Sequence, residues 1–224
     1  MELSPERKPL SRVQQNVLAR SERRLLTWIC GKLPLWVTPD KLTTTGMIGA
    51  VMIFFGYALS SFAVDWLYLA LAGYAVQWFG DSLDGSLARY RHIERPSYGY
   101  FIDHSCDGAA VLLIMAGMGL SPYVAMTIAM LALAGYLLLA IHAFLSARVI
   151  GELKLSYLAA GPTEIRLLLI TLTVIMLING KVSNLFDGYS GYDVFIGACA
   201  AVLMALFVVQ TAITGRQLAL LERR

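Results

Sequence analysis

Asp81-Ser82-Leu83-Asp84-Gly85-Ser86-Leu87-Ala88-Arg89 and, after a nine-residue spacer, Gly99-Tyr100-Phe101-Ile102-Asp103-His104-Ser105-Cys106-Asp107 place four carboxylates at the ends of two apolar stretches. Residues three or four apart share a face of an α-helix. Asp81 and Asp84 therefore lie on one stripe, which Gly85 and Ala88 continue. Asp103 and Asp107 lie on a second stripe, which Gly99 begins. The short connection predicts two antiparallel neighbouring helices, with the acidic stripes facing each other near one membrane surface.

A charge in the bilayer costs about 3 kcal/mol or more, depending on depth, so each acid needs a reason to be there. Four carboxylates in one partly buried place cannot all stay ionised unassisted, because each opposes its neighbour's ionisation. A divalent cation removes the conflict, and hard oxygen ligands suit Mg²⁺ or Mn²⁺. Asp81, Asp84, Asp103 and Asp107, with substrate phosphates, offer enough oxygens for two ions. Two such ions about 4 Å apart would orient a diphosphate and stabilise attacking and leaving oxygens. The alternative is a structural polar network at the helix ends. Gly85, Ala88 and Gly99 leave room for a ligand near the backbone, although any one of them alone could equally serve helix packing.

The surrounding chain is apolar. Of its 224 residues, 58% are hydrophobic and only 15% are charged, and the charges gather in short stretches between long uncharged runs. Runs of roughly 20 apolar residues suffice to cross a bilayer. Six are expected: from Thr44 to Phe62, from Trp66 into the acidic cluster, from Gly99 to about Leu120, from Tyr123 to about Ala147, from Pro162 through Ile178, and from Val194 to Gly215. Ser121-Pro122 and Asn179-Gly180 read as breaks, and Gly161-Pro162-Thr163-Glu164 as a helix start with Thr163 as a capping group. Basic residues alternate with the crossings. Eight Lys or Arg precede Thr44, and more follow at Arg89, Arg91 and Arg95, at Arg148, Lys154 and Arg166, and at Arg216, Arg223 and Arg224, while the intervening loops carry almost none. Both termini are therefore expected to be cytoplasmic, with the acidic cluster toward the cytoplasmic leaflet.

Residues 1–40 are expected as a cytoplasmic amphipathic segment: Val13, Val17, Leu25, Trp28 and Ile29 share one helical side, and Arg12, Arg20, Arg23 and Arg24 lie mostly opposite. The expected architecture is thus an all-α integral membrane protein, with an N-terminal amphipathic interfacial helix and a six-helix transmembrane domain over 41–224. Cys30, Cys106 and Cys199 imply no disulfide framework, and no basic run interleaved with aromatics points to nucleic acid.

The two quoted stretches fill all eight fixed positions of D-x-x-D-G-x-x-A-R, a spacer, then G-x-x-x-D-x-x-x-D. That pattern resembles the signature of the CDP-alcohol phosphotransferase family. Trp36-Val37-Thr38-Pro39-Asp40-Lys41-Leu42-Thr43 is similar to the family's lead into its first span, with Asp40 where relatives often have Asn. The spacer, Tyr90 to Tyr98, is longer than usual and places the extra residue in the turn around Glu94-Arg95-Pro96. The resemblance implies that residues 41–224 are catalytic: an acceptor hydroxyl attacks the β-phosphorus of a CDP-alcohol and CMP leaves. It makes Asp81, Asp84 and Asp103 metal ligands, and Asp107 a ligand, the general base, or both. It sets Gly85, Ala88 and Arg89 beside the CDP moiety, with Asp81 and Gly99 bordering the same place, and it implies a homodimer.

Phe101-Ile102-Asp103-His104-Ser105-Cys106-Asp107 resembles the branch that transfers phosphocholine or phosphoethanolamine to diacylglycerol, in which the histidine has been considered a base. His104 is accordingly a second candidate base, or else a polar residue bonded within the bundle. In the other branch CDP-diacylglycerol meets a polar alcohol or polyol phosphate, and Arg148, Lys154 and Arg166 could bind such a phosphate, though basic residues at cytoplasmic helix ends are ordinary topology signals. Intramembrane acids also build cation-coupled transporters, but those spread their acids along a path, whereas these gather at one level.

Overall fold

The computed structural model describes residues 11–12, 19–150, 152–153, 162–181 and 188–222. The expected amphipathic positions Val13 and Val17, together with Lys154, Gly161, Arg223 and Arg224, lie outside them. Seven helices carry the described chain: α1 (Ala19–Lys32), α2 (Pro39–Leu59), α3 (Trp66–Tyr90), α4 (Pro96–Leu120), α5 (Met126–Ile150), α6 (Pro162–Asn179) and α7 (Gly191–Leu221). A two-residue parallel pairing joins β1 (Ser11–Arg12) to β2 (Glu152–Leu153). Four helices, α2, α4, α5 and α7, are long and apolar enough to cross a membrane. The other two expected spans, α3 and α6, form helices of 25 and 18 residues; in α3, Gln77 and Asp81 dilute the apolar run.

The helix boundaries follow local chemistry. Thr38 caps α2 through its side chain, and Pro39 starts the helix, where a missing N–H costs nothing. Ser121 turns to extended backbone and ends α4. Gly180, at φ +62, ends α6 in the left-handed conformation that glycine tolerates. Ser190 and Asp193 form a reciprocal capping box at α7. Asp193 also accepts from the Ala125 N–H at 2.6 Å, so it fixes the start of α7 against the α4–α5 turn. Between α3 and α4 the bend occupies Arg91 to Arg95. His92 takes a left-handed φ of +57, two residues before the expected Glu94-Arg95-Pro96. Its N–H meets Arg89 O and that of Ile93 meets Ala88 O, which closes the helix end.

Helices α2 and α3 approach along a glycine seam. A methyl placed on Gly49 would lie 2.4 Å from Gln77 N, one on Gly56 2.4 Å from Ala70 N, one on Gly73 2.8 Å from Ile53 N, and one on Gly80 2.2 Å from Gly46 N. Only hydrogen fits at these places, so the two backbones touch. Gly117 does the same for α4 against Phe54 of α2. Beside the seam, Ile53, Tyr57, Leu67, Tyr74 and Met118 build the main core. At the other end, Leu26 and Cys30 of α1 pack with Leu42, Leu83 and Leu87. Two of the residues expected on the apolar, leaflet-facing side of α1, Leu25 and Trp28, are exposed. The helix has two apolar faces, and the one set by Leu26 and Cys30 meets α3.

Gly80→Ala should separate α2 from α3 and cost about 1–3 kcal/mol. For a chain of this length the unfolding midpoint in detergent should fall by several degrees. Gly99→Ala, with no atom within 4 Å of the new methyl, should leave it unchanged. An unshifted midpoint for Gly80→Ala would refute the seam.

Candidate active site

The seam ends at the acidic cluster. Gly80 precedes Asp81, and Gly46 lies one turn beyond Thr43 on the facing helix. The close approach brings Thr43 within reach of α3, where its hydroxyl donates to Asp84 Oδ2 at 2.7 Å. Helix α4 completes the arrangement from the other side. Thr43, Gln77, Asp81, Asp84, Asp103 and Asp107 line one cleft, with Met47, Cys106 and Ala110 among its apolar walls. All four acids expected to face each other therefore do so.

Their immediate partners differ. Asp81 Oδ2 accepts from Arg166 Nη2 of α6 at 2.8 Å. Arg166 sits mostly buried, so the pair is shielded from solvent. Asp103 and Asp107 flank His104, whose Nδ1 lies 3.3 Å from Asp103 Oδ2 and 3.9 Å from Asp107 Oδ2. The imidazole is clamped between rings, stacked on Phe144 at 4.9 Å and edge-on to Tyr100 at 4.3 Å. Both of its nitrogens are buried without a hydrogen bond. Its side chain is 8% exposed, whereas Asp107 is 41% exposed and more open than Asp103 at 32% or Asp81 at 26%.

A cation fits this donor set. One atom each of Asp103, His104 and Asp107 lie within 4.8 Å of one another, the group of three among the described residues close enough to share an ion. The buried, unbonded His104 nitrogens are what a missing partner would leave. Asp84, tied to Thr43, and Asp81, tied to Arg166, stand across the same cleft.

The small residues sort into two kinds. Gly85 would place a methyl only against the Arg89 guanidinium, at 3.3 Å, and Gly99 against nothing. Neither is a packing glycine of the seam type, and Ala88, on the stripe of Gly85, is half-buried. Arg89 is exposed, its Nη2 3.3 Å from Ser86 Oγ, and is available to an anion. Arg91 and Arg95 do other work: Arg91 donates to the carbonyls of Leu33, Pro34 and Val37, and Arg95 pairs with Asp40.

Several partners of these residues were not expected from the sequence. Gln77 lies four residues before Asp81, on the same stripe, and periodicity alone would have found it. Thr43 ends the segment before the first span, and its partner is visible only once α2 meets α3. Glu22 of α1 accepts from Trp78 Nε1 at 3.1 Å and from Thr163 Oγ1 at 3.1 Å, and no motif announces it. Thr163, expected as a helix cap, gives its hydroxyl to Glu22 instead.

A family model described as CDP-alcohol phosphatidyltransferase matches residues 36–213. Among curated proteins the chain is similar to cholinephosphotransferase 1 of Rattus norvegicus, 29% identical over 42% of this chain and 25% of that protein. It is similar to cholinephosphotransferase 1 of Danio rerio, 25% identical over 40% of this chain and 25% of that protein. A phosphatidylinositol phosphate synthase of Cutibacterium acnes is 37% identical over 38% of each chain. The matches thus span about a quarter of the cholinephosphotransferases.

The geometry predicts a metal-binding phenotype. Purified chain should bind Mn²⁺, and Asp103→Asn should weaken binding at least about tenfold by spin-resonance titration. Asp40→Asn, outside the cleft, should bind as the parent does. Equal affinity for the parent and Asp103→Asn would remove Asp103 from the site.

Proposed function

The chain belongs to the CDP-alcohol phosphatidyltransferase family, and on that premise we propose that it transfers a phospho-alcohol from a CDP-alcohol to a hydroxyl acceptor and releases CMP. The observation that carries this reading is the convergence of Asp81, Asp84, Asp103 and Asp107 on one cleft. Asp81, Asp84, Asp103 and Asp107 are the proposed ligands of Mg²⁺ or Mn²⁺, with room for two ions. Bound there, the metal would neutralise diphosphate charge and align it for displacement.

The chain's own residues supply the rest. Gly85, Ala88 and Gly99 leave the surface on which the CDP moiety lies, and Arg89 offers a guanidinium to phosphate oxygen. Asp107, the most open of the three acids compared above, takes the acceptor hydroxyl's proton as that oxygen bonds to the β-phosphorus. The bond from phosphorus to the CMP oxygen breaks, and CMP leaves with the electron pair. His104, shut between Phe144 and Tyr100 beside Asp103 and Asp107, is shielded from the acceptor.

For the substrate pair we favour a cholinephosphotransferase-like reaction with diacylglycerol as acceptor. Arg166, the cation best placed for an acceptor phosphate, is already engaged by Asp81. The second reading is transfer from CDP-diacylglycerol to a polar alcohol or polyol phosphate, which the likeness to the Cutibacterium acnes protein supports.

The membrane arrangement belongs to the same proposal. Six crossings, α2 to α7, account for the alternation of basic segments and put both termini and the cleft on the cytoplasmic side, since Arg91 and Arg95 adjoin it. Residues 41–224 are then the catalytic domain, and residues 1–40 a cytoplasmic segment with α1 lying on the leaflet. Exposed Leu25, Trp28, Leu35 and Trp36 support that placement, with Lys32 and Lys41 over two of the rings at 4.5 and 5.2 Å. A homodimer is the proposed assembly.

CMP release by purified protein in lipid micelles tests the reaction. With Mg²⁺ or Mn²⁺, CDP-choline or CDP-ethanolamine plus diacylglycerol should yield CMP, EDTA should abolish it, and CDP-diacylglycerol with polar acceptors should yield none. The reverse pattern selects the second reading, and silence in both arms refutes the transferase. Asp107→Asn should lose at least about a thousandfold in rate, and His104→Gln only about tenfold. Equal losses would make His104 the base.

A further inference from the structure

We propose that Glu22 is a positioning residue for the active site: it ties α1, α3 and α6 together one helical turn from the Asp81–Arg166 pair and thereby sets Arg166 on Asp81. The inference rests on the transferase reading, because it concerns how one proposed metal ligand is oriented.

Two rungs connect α3 to α6. In the first, Asp81 of α3 accepts directly from Arg166 of α6 at 2.8 Å. In the second, Trp78 of α3 and Thr163 of α6 both donate to the Glu22 carboxylate, the indole at 3.1 Å and the hydroxyl at 3.1 and 3.2 Å. Trp78 is three residues before Asp81, and Thr163 is three residues before Arg166. Each donor thus sits about 4.5 Å along its helix from its member of the charged pair, on nearly the same face. Holding the second rung fixes the spacing and rotation of the first.

The chemistry suits a rigid tie. An indole N–H in partly buried surroundings needs an acceptor, and Trp78 finds Glu22. The first N–H groups of α6 have no intrahelical partner, and a carboxylate beside a helix N-terminus is favoured by the helix dipole. Glu22 also cannot drift, since Leu26 and Cys30, one and two turns along α1, are buried against Leu42, Leu83 and Leu87. One carboxylate therefore joins a helix with exposed Leu25 and Trp28 to the helices that carry Asp81 and Arg166.

A double-mutant cycle in the full chain tests the tie. Glu22→Ala should lower kcat for CMP release about tenfold with KM for the CDP-alcohol little changed, and Glu22→Gln, which keeps an acceptor oxygen, should recover part of the loss. In an Arg166→Gln background, Glu22→Ala should cost less than about twofold more, because the residue it positions is gone. An equal factor in both backgrounds would overturn the proposal, as would a loss confined to KM. Thr163→Val and Trp78→Phe delete one contact each and serve if Glu22→Ala does not fold; both should share the non-additivity with Arg166→Gln. Amide hydrogen exchange across 163–167 needs no turnover. It should quicken in Glu22→Ala and Thr163→Val, and unchanged exchange would overturn the tie. If the parent released no CMP while exchange still quickened, the reaction assigned above would fail and the structural tie would stand.

Discussion

Backbone contact between α2 and α3 is the constraint on which the remaining architecture depends. Lipid tails are as apolar as leucine, so helices in a bilayer gain little from hiding side chains and associate by packing and polar contacts. Gly46, Gly49, Gly56, Gly73 and Gly80 let two helices touch over most of their length. The seam reaches the cleft at its last contact, Gly80 on Gly46. Thr43 and Asp84 lie one turn beyond, within hydrogen-bond distance because the backbones have already met. The polar site is the open end of a packing device, and its precision derives from the seam.

What the seam does for distance, charge pairing does for orientation. Asp81 meets Arg166, Asp84 meets Thr43, and Asp103 and Asp107 bracket the His104 ring nitrogen. Asp81 is held from α6 and Asp84 from α2, while Asp103 and Asp107 share a neighbour on α4, so the cleft needs these helices in register. Polar groups are costly to leave unmatched in low dielectric, which favours these pairings. The small residues of the signature differ from those of the seam: Gly85 and Gly99 do not pack against another helix.

Local chemistry was legible in the sequence, and long-range partnership was not. The acidic stripes, the breaks at Ser121 and Gly180 and the helices themselves followed from spacing, although only four of the six expected spans are long and apolar enough to cross a membrane. The Ser190–Asp193 capping box has the same local spacing but was not expected from the sequence. Arg166 illustrates the limit. At a helix start it is indistinguishable from a topology signal, and its partner is 85 residues away in sequence. Glu22 carries no local signal at all, since its donors belong to α3 and α6. In α1 the apolar side was assigned from Leu25 and Trp28, whereas Leu26 and Cys30 turned inward. Two apolar faces share that short helix, and only the tertiary contact with α3 decides which is buried.

His104 shows how burial divides roles that sequence leaves joined. By spacing it lies about 100° around the helix from Asp103, so either residue could edge a substrate. The structure closes Phe144 and Tyr100 over its ring and leaves Asp107 open. A general base must reach the proton it removes, and reach comes before basicity. A shielded imidazole beside two carboxylates is suited to sharing a cation with them, and the more open carboxylate is suited to meeting the acceptor. The division follows from which side chain the α5 aromatic covers, so Phe144, outside the signature, bears on the proton-transfer role proposed for Asp107.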